Sequence, residues 1–484
     1  MTDLVRVLND SFGFSSFRSG QEEAIQSALA GHDTLVMLPT GSGKSLCYQL
    51  FPYIREGITL IVSPLLSLMQ DQVEKLKQSG HQEVTALNSF MTKVEKQSIL
   101  NHLKQYKWVY LSPEMLQQDY VLKYLKQVKI NLFVVDEAHC ISHWGMDFRP
   151  DYLQLGDYCQ ELGRPPIMAL TATATEEVRQ EIKELLTFDP DSSREILTTI
   201  DRPEIKLMTE YTEGNKVERT LELADYLQKP GIIYFSSRKL ADQMSQLINE
   251  RLDVAAESYH SHRTSADKVK IQQQFIQNKL QIICATSAFG MGINKADVRF
   301  VIHYHMPASP AMYMQEIGRA SRDGQPSIAI LLYEPGDAQL QSFLKEQNIP
   351  DENTIRYFYR NSQSLEVADD PQVHLLEYFK QHGYSVAETI QHFKLRQQQV
   401  AHQIDYMKQY ISAETCKREI LLNYFGATSE SSEECCHSCN EDLLGQFKQT
   451  TNIAVLHQHQ VWPKKKILKR LFNLDEIEYG NMLQ

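Results

Sequence analysis

No stretch of this sequence approaches the roughly 20 consecutive apolar residues that a membrane-spanning helix needs. The opening residues, MTDLVRVLNDSFGF, hold an acid and no long apolar core, so they do not read as a secretory leader. A cytoplasmic protein is the expectation. Positive charge is also short: 49 lysines and arginines stand against 61 aspartates and glutamates, a formal net charge of −12. That argues against an indiscriminate nucleic-acid binder, whose surface is usually basic, but leaves room for a local positive track. There is no internal repeat of short period. Cysteine is sparse, at eight residues. Cys47, Cys140, Cys159 and Cys284 are scattered and read as small packed residues. Cys416, Cys435, Cys436 and Cys439 fall close together, and in an intracellular protein such a group reads as metal ligands sooner than as disulfides. What is present is length and apolar content. At 484 residues and 42% hydrophobic, the chain can build real cores in several domains and is not a disordered chain.

From Thr34 to about Leu331, short apolar runs alternate with longer amphipathic stretches. TLVML (34–38), LIVS (60–63), LFVVD (132–136) and IMAL (167–170) read as buried parallel strands, as do GIIYF (231–235), IICAT (282–286) and FVIHY (300–304). Strands alternating with helices predict a doubly wound α/β fold. The polar stretch Thr199–Asn215, with Pro203 and Gly214, separates two such series, so the expectation is two lobes joined near residue 205. From about Gly336 to Leu422 the pattern turns helical and rich in Gln and Leu. The predicted divisions are 1–205, 206–340, a helical and cysteine-bearing segment 341–440, and a short tail 441–484 with a basic patch at Lys464–Lys466 and Lys469–Arg470. For that patch, DNA contact and a solvated helix face are equally open.

Leu38-Pro39-Thr40-Gly41-Ser42-Gly43-Lys44-Ser45 follows a strand and precedes an amphipathic stretch, the context a phosphate-binding loop requires. Glycines let backbone N–H groups approach phosphate oxygens at a helix N-terminus. Thr40, Gly41, Ser42 and Gly43 would form that cradle, Lys44 would reach the β- and γ-phosphates, and Ser45 would face Mg²⁺. Leu38 stands where the strict pattern has its first glycine, so alone the segment also reads as a chance glycine-rich turn. The strand Leu132–Val135 then ends in Asp136 and Glu137. Asp136 would hold Mg²⁺ and Glu137 would polarise an attacking water. With a phosphate loop upstream, both strand ends point to one sheet edge, and the pair stops reading as an incidental surface acid pair.

Asp136-Glu137-Ala138-His139, with the phosphate loop, resembles the superfamily 2 helicases, which implies two RecA-like lobes. The family's other motifs follow. Phe14-x-x-Phe17-Arg18-x-x-Gln21 resembles its adenine-reading segment, with Phe14 to stack on the base and the Gln21 amide to read its edge. Thr171-Ala172-Thr173 resembles the segment that couples nucleotide state to lobe movement, and Ala285–Lys295 resembles motif V. Gln315–Gly324 resembles motif VI; by that resemblance Arg322 is the finger on the developing γ-phosphate charge and Arg319 a second γ-phosphate contact. Ser321 replaces the usual glycine, with little expected change.

The segment Cys140–Tyr152 resembles the aromatic-rich loop of the RecQ DNA helicases, as do Ser45–Gln49 and Ser63–Leu68 their counterparts. The resemblance implies DNA contacts by Trp144, Phe148, Arg149 and Ser63, through stacking and phosphate binding. On composition alone, the loop also reads as a hydrophobic plug of lobe one. Met146 replaces a usual histidine, which puts the strength of DNA-to-ATP coupling in question. Cys416–Gly426 resembles the RecQ zinc-binding segment, and four thiolates suit tetrahedral Zn²⁺. The family's last three cysteines are regularly spaced, whereas here they are Cys435, Cys436 and Cys439. Adjacent cysteines are awkward co-ligands, so three alternatives stay open: His437 in one place, one place left loose, or packed thiols. The resemblance covers about residues 1–440, in the manner of short bacterial RecQ-like helicases; 440–484 is too short for a full winged helix. It implies ATP, Mg²⁺ and Zn²⁺ as cofactors, and 3′→5′ movement on single-stranded or forked DNA. Repair or recombination, with single-strand-binding protein a partner, is implied likewise. A DNA-binding ATPase switch that grips without efficient unwinding is the alternative.

Overall fold

In the computed structural model the first lobe is a seven-stranded sheet. Its strands are β1 (Thr34–Met37), β2 (Ile58–Val62), β3 (Val84–Leu87), β4 (Trp108–Leu111), β5 (Ile130–Val135), β6 (Ile167–Thr171) and β7 (Arg194–Leu197), in the order β3-β4-β2-β5-β6-β1-β7. The second lobe is a six-stranded sheet of β8 (Ile205–Tyr211), β9 (Gly231–Tyr234), β10 (Ala256–Tyr259), β11 (Ile282–Ala285), β12 (Phe300–His303) and β13 (Ser327–Tyr333), in the order β10-β11-β9-β12-β13-β8. All pairings within both sheets are parallel. The structure describes residues 3–142, 150–290, 295–347, 349–361, 371–428, 434–440 and 442–449.

The central strands are apolar on both faces because both faces are covered. Leu35, Leu60, Phe133 and Ala169 enter one core, while their neighbours Val36, Ile61, Val134 and Met168 enter another on the opposite side of the sheet. Several helices start where a hydroxyl satisfies a free N–H group. Thr92, Thr175, Ser237, Thr264 and Ser309 each accept a hydrogen bond from the first turn of the helix that follows.

Six strands lie outside the runs read from the sequence: β3, β4, β7, β8, β10 and β13. Edge strands β3, β7, β8 and β10 mix polar with apolar residues, since solvent or another segment takes one side. β4 and β13 lie inside the sheets and are almost wholly buried, so they carry the same apolar signal as the strands that were read.

After β13 come helices Asp337–Glu346, Glu352–Asn361, Pro371–Gln381 and the 27-residue Val386–Ser412. Their own core includes Ile355, Phe358, Phe379 and Phe393. The long helix opens on a capping box, with Ser385 and Glu388 bonded reciprocally. It closes on Lys417, whose buried ammonium donates to the carbonyls of Tyr410 (2.8 Å), Ile411 (2.8 Å) and Ala413 (2.6 Å).

Candidate active site

The loop after β1 turns through Gly41 (φ 82°) and Gly43 (φ 81°), left-handed positions that favour glycine. Side chains from the segment preceding the first sheet brace it. Arg18 donates to the Gly41 carbonyl at 2.7 Å, and the Gln21 amide nitrogen donates to the carbonyls of Ser42 (2.9 Å) and Gly43 (3.1 Å). The other end of that amide accepts from the Arg18 N–H at 2.9 Å. The structure therefore places buried Gln21 on the phosphate loop, with its donors engaged there; reading a base edge requires it to turn from these bonds. Phe14, 54% exposed, keeps its ring free beside the cleft.

Lys44 and Asp136 both line the cleft, and the Lys44 ammonium donates to the Leu38 carbonyl at 3.3 Å. Burial lowers the Lys44 pKa, opposed by the charges of Glu137 and Asp136. Burial pushes the Asp136 carboxyl up to about 7, Glu137 adds to this, and Lys44 opposes it. Asp136 accepts from the Glu137 N–H at 3.0 Å. Glu137 has φ 49°, a left-handed backbone that strains a non-glycine residue and aims the carboxylate off the strand end. Its carboxylate lies 3.4 Å from His139 Nδ1, which lies 3.1 Å from the Thr171 hydroxyl. That hydroxyl donates to the Thr173 carbonyl at 3.3 Å. Polar groups thus step from the acid pair toward the segment expected to sense the nucleotide, the Glu137–His139 approach being an ion-pair distance and not a hydrogen bond.

The second lobe supplies the facing wall. Helix Pro310–Ile317 ends at Gly318, and Arg319 and Arg322 follow. Arg319 is buried and donates to the Gly290 carbonyl. Burial, together with the charges of Arg319 and Arg202, pushes the Arg322 pKa down to about 10. Arg322 reaches over the phosphate loop: a Cβ at Gly41 would lie 3.2 Å from its Cγ. The Thr40 hydroxyl bonds the Gly318 carbonyl across the lobes at 3.0 Å. Between the lobes lies a cleft of about 520 Å³, lined by Phe14, Gln21, Lys44 and Asp136 on one side and Arg319 and Arg322 on the other. Buried cations gathered opposite a backbone cradle suit a polyphosphate.

A second cluster forms at the cysteines. The four Sγ atoms of Cys416, Cys435, Cys436 and Cys439 lie within 4.8 Å of one another, with contacts of 3.2, 3.4, 3.5 and 4.0 Å. Four thiolates about one Zn²⁺ at ~2.3 Å stand about 3.8 Å apart, so the set fits a tetrahedral ion. Adjacent Cys435 and Cys436 both join it. His437 does not replace either of them: its imidazole Nδ1 accepts from the Thr209 N–H at 3.4 Å, and its main-chain N–H donates to the Leu207 carbonyl at 3.0 Å. The Cys436 thiol pKa is lowered: burial opposes this, but the Lys417 N–H and the neighbouring thiols outweigh it.

Comparison with known proteins agrees with this geometry. The DEAD/DEAH box helicase family model matches residues 18–182, and the helicase conserved C-terminal domain matches 215–324. The probable ATP-dependent DNA helicase RecS of Bacillus subtilis (strain 168) is 41% identical over 99% of this chain and 99% of its own length. The ATP-dependent DNA helicase RecQ of Haemophilus influenzae is 37% identical over 90% of this chain, which spans only 62% of that protein. The chain belongs to the RecQ-like helicases. Among solved structures, the helicase MrfA bound to DNA has a TM-score of 0.59 at 17% identity, covering 70% of this chain and 49% of its own. Mss116p bound to single-stranded RNA and AMP-PNP has 0.58 at 16%, covering 84% and 90%; both share the fold.

Among the residues that a RecQ-like reading assigns to DNA, Trp144, Phe148 and Arg149 lie outside the described residues, as does Met146. Ser63 directly follows β2 and is buried, and its hydroxyl has no hydrogen-bond partner among the described residues. Two arginines escaped the sequence reading. Arg202 lies in the joint between the lobes, and Arg418 follows Cys416 by two residues. Their only local signals are a neighbouring proline and a neighbouring cysteine, since their partners are distant in sequence.

Proposed function

We propose that this chain is an ATP-dependent DNA helicase that hydrolyses ATP between its two lobes and moves 3′→5′ along single-stranded DNA, opening duplex or forked DNA. The observation that supports this most is the facing of Lys44, Asp136 and Glu137 by Arg319 and Arg322 across one cleft. Lys44 neutralises the β- and γ-phosphates, Glu137 orients the attacking water, and Arg322 meets the charge that develops on the γ-phosphoryl group. Mg²⁺ held by Ser45 and Asp136 would draw charge off the phosphate oxygens. Zn²⁺ on the four thiolates would fix the cysteine segment against β8. Binding to DNA is by phosphate contact and stacking, hence salt-sensitive and weakly sequence-specific. No helix among the described residues is long and apolar enough to cross a membrane, and the cytoplasm is the proposed location.

The test is ATP hydrolysis with single-stranded DNA or RNA added, beside a forked-duplex assay with ATP or a non-hydrolysable analogue. DNA-stimulated hydrolysis with strand release under ATP alone is expected, and Lys44→Ala abolishes both. Wild-type hydrolysis by Lys44→Ala would refute the site. Preferential stimulation by RNA would refute the DNA assignment, and hydrolysis without strand release would favour an ATPase that only grips DNA.

A further inference from the structure

The joint between β7 and β8 carries one guanidinium that touches both walls of the cleft. Arg202 Nη1 donates to the carbonyls of Thr40 (3.0 Å) and Gly318 (3.4 Å), and Nη2 to those of Ala320 (3.1 Å) and Ser321 (2.8 Å). Thr40 belongs to the phosphate loop; the other three carbonyls belong to the segment that bears Arg319 and Arg322. The side chain is only 14% exposed, and its Nε faces Glu204 at 3.4 Å. Its backbone is pinned as well, because the Arg202 carbonyl accepts from Arg418 at 3.0 Å and Asp201 pairs with the same guanidinium. A planar fork of five N–H donors can bridge carbonyls on two bodies; a lysine ammonium donates from a single point.

We infer that Arg202 is a positioning residue for ATP hydrolysis: it sets the phosphate loop and the Arg319–Arg322 segment at the spacing in which both reach one γ-phosphoryl group. This rests on the proposed hydrolysis in the cleft. The four bonds that Arg202 makes to the two walls all go to main-chain carbonyls. Its loss leaves Lys44, Asp136 and both finger arginines in place but frees one wall to shift against the other. A shift of about 1 Å in a reacting geometry costs on the order of 100-fold in rate. Nucleotide affinity depends mostly on the lobe-one cradle and suffers less.

The experiment compares wild type, Lys44→Ala, Arg202→Ala and Arg202→Lys as full chains. It measures kcat and KM for ATP at saturating oligo(dT), oligo(dT) affinity by anisotropy, and the melting temperature. Hydrolysis by wild type and none by Lys44→Ala secures the underlying reading, so the Arg202 variants test the inference alone. Arg202→Ala is expected to lose about 10- to 100-fold in kcat, with KM and DNA affinity within about threefold, and Arg202→Lys falls between. A kcat for Arg202→Ala within about threefold of wild type would overturn the inference. A joint fall of kcat, ATP affinity, DNA affinity and melting temperature would also overturn it, as a merely structural role. If Arg202→Ala does not fold, Arg202→Lys decides: unchanged kcat overturns, and reduced kcat at unchanged KM supports.

Discussion

Replacing Gly318 by alanine changes one methyl group at the seam of the cleft. The backbone there is ordinary helix (φ −61°, ψ −2°), so alanine meets no conformational penalty. The obstacle is the facing lobe. A Cβ would stand 2.2 Å from the Thr40 hydroxyl oxygen, 3.4 Å from its Cβ and 3.0 Å from the Met314 carbonyl. The first of these is more than about 1 Å short of ordinary van der Waals contact. Two responses are open. Thr40 can rotate, forfeiting its 3.0 Å bond to the Gly318 carbonyl, a loss of about 1 kcal/mol. Otherwise the segment withdraws by about 1 Å, carrying Arg319 and Arg322 with it, at a cost on the order of 100-fold in rate. The second dominates because turning the Thr40 side chain still leaves the new methyl 3.4 Å from the Thr40 Cβ and 3.0 Å from the Met314 carbonyl. Steady-state ATP hydrolysis at saturating single-stranded DNA should show kcat reduced by about 10- to 100-fold with little change in KM. Thr40→Ala added to Gly318→Ala removes the colliding oxygen and should restore most of the loss. Wild-type kcat in Gly318→Ala, or a double variant no faster than the single one, would refute the reasoning.

Asp136, with its pKa raised from 3.8 to about 7, binds a proton in the fold that it lacks when unfolded between those values, so its contribution to stability falls as pH rises through that window. Asp136→Asn keeps the acceptor for the Glu137 N–H, and its melting temperature should gain on wild type between pH 5 and 8 without Mg²⁺; a pH-independent difference would contradict this. Ser321 sits at φ 54°, where strain costs roughly 1–2 kcal/mol, and its hydroxyl bonds the Gln325 carbonyl and the Ser327 hydroxyl, both at 2.6 Å. Ser321→Gly, trading bonds for relief, should be near neutral in chemical denaturation, while Ser321→Ala should lose about 1–3 kcal/mol. Cys436→Ser should reduce bound zinc, measured by metal analysis of the purified chain, from one ion per chain to a trace, and its melting temperature should fall.

The residues that line the proposed ATP cleft are legible because their chemistry is written in short strings. The loop Thr40–Ser45, the acids Asp136–Glu137 and the pair Arg319–Arg322 each declare themselves within ten residues, and the fold only has to bring three strand or helix ends together. The α/β class followed from apolar runs, but edge strands such as β7 and β8 did not, since one side of each escapes the core. Bracing side chains were not legible at all. Nothing local in the sequence says that the Gln21 amide, whose expected role is to read the base, also closes on Ser42 and Gly43. Arg202 is silent in the sequence because its partners lie at Thr40 and Gly318–Ser321. The cysteine spacing left alternatives open for a related reason. Whether adjacent thiols can share one centre depends on the strand they lie against, not on their separation in the chain.

That strand has a further consequence. β8 is the border of the second sheet, and its outward backbone groups would otherwise be free to pair with another chain. The cysteine segment occupies them: the Leu207 N–H goes to the Cys435 carbonyl, the Leu207 carbonyl to the His437 N–H, the Thr209 N–H to the His437 ring and the Ile205 carbonyl to Arg418. The four-cysteine cluster is therefore also a lid on a sticky border. A chain stripped of zinc should fail first by self-association through β8, at a rate that rises with protein concentration, while its ATP cleft is still formed.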